Sequence, residues 1–587
     1  MNAWQRCAVV SMIVLMLSSA GRAQDPSTLD CTTCHSDKAQ ALKGSAHAGL
    51  SCTTCHAGIK TFPHPKGVAQ PQCSSCHARE ASQWARSVHG MQFAEGNKAA
   101  PNCQVCHGDP HQLQRTNTWA FKKTIPELCG TCHAQIAQEY DESVHGQAIK
   151  RGVYDAPVCT ACHTAHSIEP PTSPASTVFP THIPETCGQC HGNVRLTSKF
   201  NIPADRLLSY QASFHGLAVK AGSETAANCA SCHGFHLILP SSDPRSTINP
   251  RNLSKTCGQC HPGAGTRFAL GPVHELPGST GEPPAVRWIR IFYLIVIPVL
   301  IGLMFLHNVG DWLRKLVDLR LHQIKPASPA IIPGGPWQPG EANNIRMYSF
   351  ERLQHALLLV SFIVLVWTGF AFKYSSAWWA RPLLVVVWGW ELRALVHRIA
   401  AVVFMAVAAM HIISLVKSPR LRRHWLELKP QYEDVIEAVR TFAFNLGLSR
   451  TRPPRSSHSY VEKGEYWAVV WGGVLMTITG LMLWAHNLVL AWLPMVFLQL
   501  ASTIHFYEAV LAALAILVWH FYSVIFDPEV YPMDPAWLTG RSVRRRSAEQ
   551  SDPDGNGETV GNGEALGQGL GADGGTTQAE EDKGTDG

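Results

Sequence analysis

Nine times between residues 31 and 261 the chain repeats Cys-x-x-Cys-His. The copies are Cys31, Cys34 and His35; Cys52, Cys55 and His56; Cys73, Cys76 and His77; Cys103, Cys106 and His107; Cys129, Cys132 and His133; Cys159, Cys162 and His163; Cys187, Cys190 and His191; Cys229, Cys232 and His233; and Cys257, Cys260 and His261. Two thiols three residues apart can add across the two vinyl groups of a porphyrin, and an imidazole directly after them falls beneath the iron. A zinc site or a redox dithiol draws on the same atoms, but neither calls for histidine after every second cysteine. The copies use eighteen of nineteen cysteines, and the last, Cys7, precedes an N-terminal apolar run. No thiol is left over for a disulfide framework, so the pattern predicts nine covalent haem c groups.

Nine more histidines recur among the motifs. A motif, a lone histidine, a second motif and a trailing histidine make one unit; units begin at Cys31, Cys73, Cys129 and Cys187, with a half unit at Cys257. The lone histidines are His47, His89, His145, His215 and His274, and the trailing ones are His64, His111, His166 and His236. Three lone histidines share their wording, SVHG at His89 and His145 and SFHG at His215. One distal imidazole per motif predicts six-coordinate, bis-histidine iron. Such iron has no open position for substrate and serves electron transfer. Spacing leaves open which distal histidine serves which motif. His182, in THIPETC, stands outside the pattern and is not expected to be a ligand.

These ligands need a scaffold, and the chain supplies two kinds. Residues 24–285 are rich in Pro, Gly, Ser and Thr and lack any long apolar run. Too few large aliphatic residues remain for an ordinary core, so the expected fold is irregular and haem-packed, made of short helices and loops. Beyond residue 286 five apolar runs approach the ~20 residues that a spanning helix needs, at roughly 288–308, 348–372, 394–416, 465–485 and 503–526. They predict an all-α membrane bundle. Residues 1–23 read as a signal peptide, 286–345 as the first span with its inner loop, 346–540 as the main membrane domain, and 541–587 as a disordered tail.

A secreted N-terminal region puts the start of the first span outside. The loop after that span carries Arg314, Lys315, Arg320 and Lys325, and the loop after the third carries Lys417, Arg420, Arg422, Arg423, Arg450, Arg452 and Arg455. Both are inner loops by odd-span counting, in accord with the positive-inside rule. Trp378, Trp379, Trp388 and Trp390 then mark the outer interface. The expected location is the bacterial inner (cytoplasmic) membrane, with the motif region in the periplasm. A net charge of +6 describes the chain before haem propionates are added, and gives no reason to expect a nucleic-acid partner.

Histidine inside a membrane helix is costly and marks function by default. The third run holds His397 and His411, fourteen residues apart, and the fifth holds His505 and His520, fifteen apart. At ~1.5 Å per residue each pair spans roughly 21–23 Å along the helix, which sets two depths. His397 and His505 define an outer haem b site. At the inner depth His520 has two possible partners, His355 and His411.

The stretches RMYSFERLQHALLLVSFIVLVWTGF, LVHRIAAVVF, YWAVVWGGVLMTITGLMLW and IHFYEAVLAALAILVWHFY resemble the four helices of dihaem cytochrome b subunits from respiratory formate dehydrogenases and nickel–iron hydrogenases. The resemblance covers roughly residues 346–530 and implies ligands at His355, His397, His505 and His520, with two non-covalent haem b. His411 has no counterpart there, and the last pair is one residue wider than in the formate dehydrogenase subunit. Quinone chemistry in that family lies beside the inner haem, near a Gly-Gln step matched here by Gly464 and Glu465, which with His520 make the expected quinone site. The whole arrangement, nine c motifs fused to such a domain, resembles quinol-oxidising inner-membrane cytochromes of metal-reducing bacteria.

What the resemblance implies is electron transfer from menaquinol in the membrane quinone pool, through the b and c haems, to periplasmic multihaem cytochromes. Three other readings use the same residues: quinone reduction from a periplasmic donor; a periplasmic terminal reductase of nitrite, hydroxylamine or a sulfur oxyanion, which needs an open haem; and a membrane anchor for a separate dehydrogenase or reductase subunit.

Overall fold

The computed structural model describes residues 30–59, 64–266, 268, 274–279, 281–322, 346–384, 389–449 and 458–542. The expected signal peptide, Lys325, Trp388, Arg450, Arg452, Arg455 and the tail from residue 543 lie outside these residues.

Between residues 30 and 261 the described helices are no longer than nine residues, and they are joined by turns and extended segments without strands. Local sequence explains their brevity. In the units of His89, His145 and His215 a helix such as Ala134–Glu142 stops at the serine two residues before the lone histidine, and a second helix, Val144–Lys150, starts from the same residue. Ser143 Oγ donates to Tyr140 O at 2.6 Å and accepts from Gly146 N at 3.2 Å, closing one helix and capping the next. Ser87 and Ser213 repeat this bridge. The glycine is required by the bend, because a Cβ on Gly146 would lie 2.2 Å from Tyr140 O. The histidine between serine and glycine is thereby fixed at an elbow.

Successive units interlock through backbone hydrogen bonds that join each lone-histidine elbow to the segment after the next unit's trailing histidine. The bonds are Ala46 N to Leu113 O, Val88 N to Ile168 O and Val144 N to Ile238 O, at 2.7, 2.9 and 2.9 Å. Apolar burial in this region is sparse. The one cluster of buried side chains described there comprises Ile125, Ile149, Ala156 and Val158, flanked by Trp119 and Phe121.

The remainder is a multi-pass membrane bundle of five helices: Pro284–Val317, Ser349–Lys373, Gly389–Lys417, Tyr460–Trp484 and Val496–Phe526. They overrun the apolar stretches expected from sequence, because polar ends find partners on neighbouring helices. The first continues to His322, and Lys315 meets Asp311 at 2.6 Å and both carboxylate oxygens of Asp527 at 2.9 Å. Near its other end Tyr293 donates to Glu508 of the fifth helix at 2.8 Å. The fifth helix begins at Val496, earlier than expected, and turns into π-helix from Ile516 to His520 and from Tyr522 to Phe526. Past Gly540, Arg541 N donates to Thr539 Oγ1 at 3.2 Å and Ser542 Oγ bonds Asp534.

The motif region rests on one end of the bundle. Phe214 packs against Phe372 and Trp390, with ring centroids 5.4 and 6.4 Å apart. His397 and His505 lie toward this end, and His355 and His520 toward the other.

Candidate functional site

All eighteen described cysteines are free thiols. The nine histidines that follow them are each brought opposite one further histidine: His35 with His64, His56 with His111, His77 with His47, His107 with His166, His133 with His89, His163 with His236, His191 with His145, His233 with His274 and His261 with His215. Their ring centroids are 5.8 to 6.3 Å apart. Two imidazoles bonded trans to one metal through bonds of about 2 Å have ring centres roughly 6 Å apart. The separations therefore fit an iron between each pair.

The pairing crosses unit boundaries. Lone histidines His47, His89, His145 and His215 each stand opposite the histidine of the first motif of the following unit. Trailing histidines His111, His166 and His236, together with His274, stand opposite that of the second motif of the preceding unit. Only the first motif pairs within its own unit, with His64. This follows from the interlocking backbone bonds, which hold each elbow against its successor. Asp109 shows how a distal ring is aimed: its Oδ1 lies 2.9 Å from both the backbone N and the ring Nδ1 of His111. These bonds hold the Asp109 carboxyl down at about 2, so it stays ionised and leaves His111 Nε2 free to bind metal. Burial, reinforced by nearby His191, pushes His145 down to about 4 and keeps its lone pair available. His182 instead directs Nδ1 to Ser176 O at 2.8 Å, outside every pair.

Sites adjoin within each unit and, from the second unit on, between units. Within each unit the first cysteines of the two motifs touch: Cys31 and Cys52, Cys73 and Cys103, Cys129 and Cys159, Cys187 and Cys229. Between units Cys106 neighbours Cys129, Cys162 neighbours Cys187, and Cys232 neighbours Cys257.

In the bundle, two helices hold His397 and His505 by the same device. Thr368 Oγ1 donates its single proton to Val364 O at 2.6 Å, so at 2.8 Å from His397 Nδ1 it can only accept. Thr479 does the same, donating to Leu475 O at 2.6 Å and meeting His505 Nδ1 at 2.9 Å. Both rings are thus fixed with the proton on Nδ1 and a bare Nε2, the tautomer that binds metal. The next residue is glycine each time, with Cε1 of His397 and His505 at 3.4 and 3.3 Å from where a Cβ would stand on Gly369 and Gly480. Arg393, one turn from His397, donates to Thr368 O at 3.0 Å while its buried Nε has no hydrogen-bond partner among the described residues. A haem propionate fits that orphaned donor.

At the other depth the His355 and His520 rings are 6.4 Å apart. His520 Nδ1 lies 3.0 Å from Glu465 Oε2, and Ser523 donates to Oε1 at 3.3 Å. His411 is not brought to His520. Its Nε2 meets Tyr466 OH at 2.8 Å and its Nδ1 meets Gln354 Oε1 at 3.4 Å, so both nitrogens are engaged. A Cβ on Gly464 would meet open space.

Thr368, Thr479 and Arg393 were not read from sequence, although the repeated Thr-Gly step in VWTGF and TITGL, each one helix ahead of a histidine, was available as a signal. Thr368→Val and Thr479→Val each remove the acceptor for one Nδ1–H while keeping shape. Each substitution is expected to weaken retention of one haem b about 10- to 100-fold and leave the other, measured by haem b content after dilution into apomyoglobin.

Residues 346–532 match the family described as prokaryotic cytochrome b561. Comparison with curated proteins and with solved structures gives no match. The C-terminal region is accordingly a membrane cytochrome b domain that takes part in electron transfer, and the first span lies outside the matched segment.

Proposed function

We propose that the chain oxidises menaquinol at the inner end of the bundle and delivers the electrons to nine c-type sites in the periplasm, where multihaem cytochromes accept them. The observation that carries this reading is the set of ten histidine pairs with centroids 5.8 to 6.4 Å apart, nine beside attachment motifs and one between membrane helices. His355 and His520 would hold the inner haem b, and His397 and His505 the outer one. Bound haem would supply reversible one-electron chemistry at iron closed to other ligands.

Quinol gives up two protons with its two electrons, and Glu465 is placed to take a proton. It faces His520 from the fourth span, and the open space at Gly464 leaves room for a ring to approach. The distal partner at each of the nine motifs speaks against a terminal reductase, which needs an open position.

The experiment is anaerobic titration of purified full-length protein with a reduced menaquinone analogue, after a pyridine haemochrome assay has counted its haems. Nine c and two b haems are expected, with both classes reduced. Reduction of neither class by quinol would overturn the reading.

A further inference from the structure

The ninth ligand pair is where the motif region meets the bundle. His261 Nδ1 lies 3.0 Å from Asn487 Oδ1, and the His261 ring stands edge-on to His486 at 5.4 Å and 85°. Phe214, next to its distal partner His215, packs on Phe372 and Trp390. Among the described residues, none of the other eight proximal histidines has a ring contact or hydrogen bond to the membrane helices.

His486 and Asn487 open the short helix His486–Trp492, directly after the fourth span ends at Trp484. Six residues before His486, Gly480 packs against the His505 ring. The four residues of helix from Gly480 to Trp484 rise about 6 Å, and Ala485 turns the chain into the next helix. One continuous stretch of backbone therefore links the outer membrane pair to the proximal ring of the ninth motif. An amide oxygen can only accept, so Asn487 also keeps the His261 proton on Nδ1 and leaves Nε2 for metal.

We infer that Asn487 and His486 are positioning residues for the junction between the outer b site and the ninth c site, so that the c sites fill from His261 back toward His35, in reverse order of the sequence. With haem held by His397 and His505 and by His261 and His215, the junction would pass one electron at a time, the outer b site being oxidised as the ninth c site is reduced, with no proton moved. The direction of filling rests on the proposed function, while the contact does not.

The test uses the full-length haem-loaded protein with Asn487→Leu, which removes the acceptor, and Asn487→Asp, which restores one. In stopped-flow reduction by a menaquinol analogue, b-haem reduction is expected at the wild-type rate in both. Electron passage from b to c should slow at least tenfold in N487L and recover in N487D. A spectroelectrochemical titration should show one c haem of N487L moved to higher potential, since a lost hydrogen bond makes the His261 ring a weaker donor. Wild-type b-to-c rates and unchanged c potentials in N487L would overturn the junction. If N487L loses haem, His486→Leu is measured instead: slowed b-to-c passage supports the junction and an unchanged rate overturns it. Failure of quinol to reduce the b haems of the wild type would sink the proposed function alone, because the titration reads the contact without quinol.

Discussion

Replacing His355 by alanine is expected to remove the inner haem b and with it quinol-driven reduction of the c haems, whereas His411→Ala retains both. Available lone pairs set the two histidines apart. The His355 ring lies 6.4 Å from that of His520 and its Nδ1 has no hydrogen-bond partner among the described residues, while both His411 nitrogens are held by Tyr466 and Gln354. Loss of a residue that merely orients a ligand costs about 10- to 100-fold, and loss of the ligand itself should exceed that. Reduced-minus-oxidised spectra at low temperature separate the two b haems and check the result. Loss of the inner haem in H411A, with retention in H355A, would mean that spans three and five hold both b haems.

Glu465→Gln is expected to leave eleven haems in place and lower quinol oxidation about 10²- to 10⁴-fold, the range for loss of a positioned base. The amide keeps the size of the side chain, and its oxygen can still accept from His520 Nδ1. It cannot take up a proton. Steady-state oxidation of a menaquinol analogue with excess acceptor measures the effect, and dithionite reduction of the same sample shows whether the haems are intact. A wild-type rate in E465Q would place the proton acceptor elsewhere.

The motifs stood out in sequence because covalent attachment to a porphyrin would fix residue type and spacing together, at Cys31–His35 as at Cys257–His261. The lone and trailing histidines were legible as a set, since the elbow that aims His89, His145 and His215 needs serine before and glycine after. Their pairing was not. His89 faces His133, forty-four residues on, because the elbow is tied to Ile168 of the following unit, and such a bond leaves no local trace. In the bundle the depth of each histidine followed from helical rise, but the choice between His355 and His411 turned on Tyr466 and Gln354, whose reach depends on how spans two, three and four pack. The junction was hidden for a similar reason: His486 and Asn487 look like ordinary residues at a helix start until the ninth motif is set down on them.

The central claim is that quinol at the membrane and the nine c sites belong to one electrical path. Rapid mixing of the oxidised full-length protein with a menaquinol analogue, following the b and c absorption bands separately, tests it most directly. The account predicts that the b haems are reduced first and the c haems after them, with both phases abolished by an inhibitor that occupies the quinone site. Reduction of the c haems at the same rate with the inhibitor present, or b haems that stay reduced beside oxidised c haems, would contradict it.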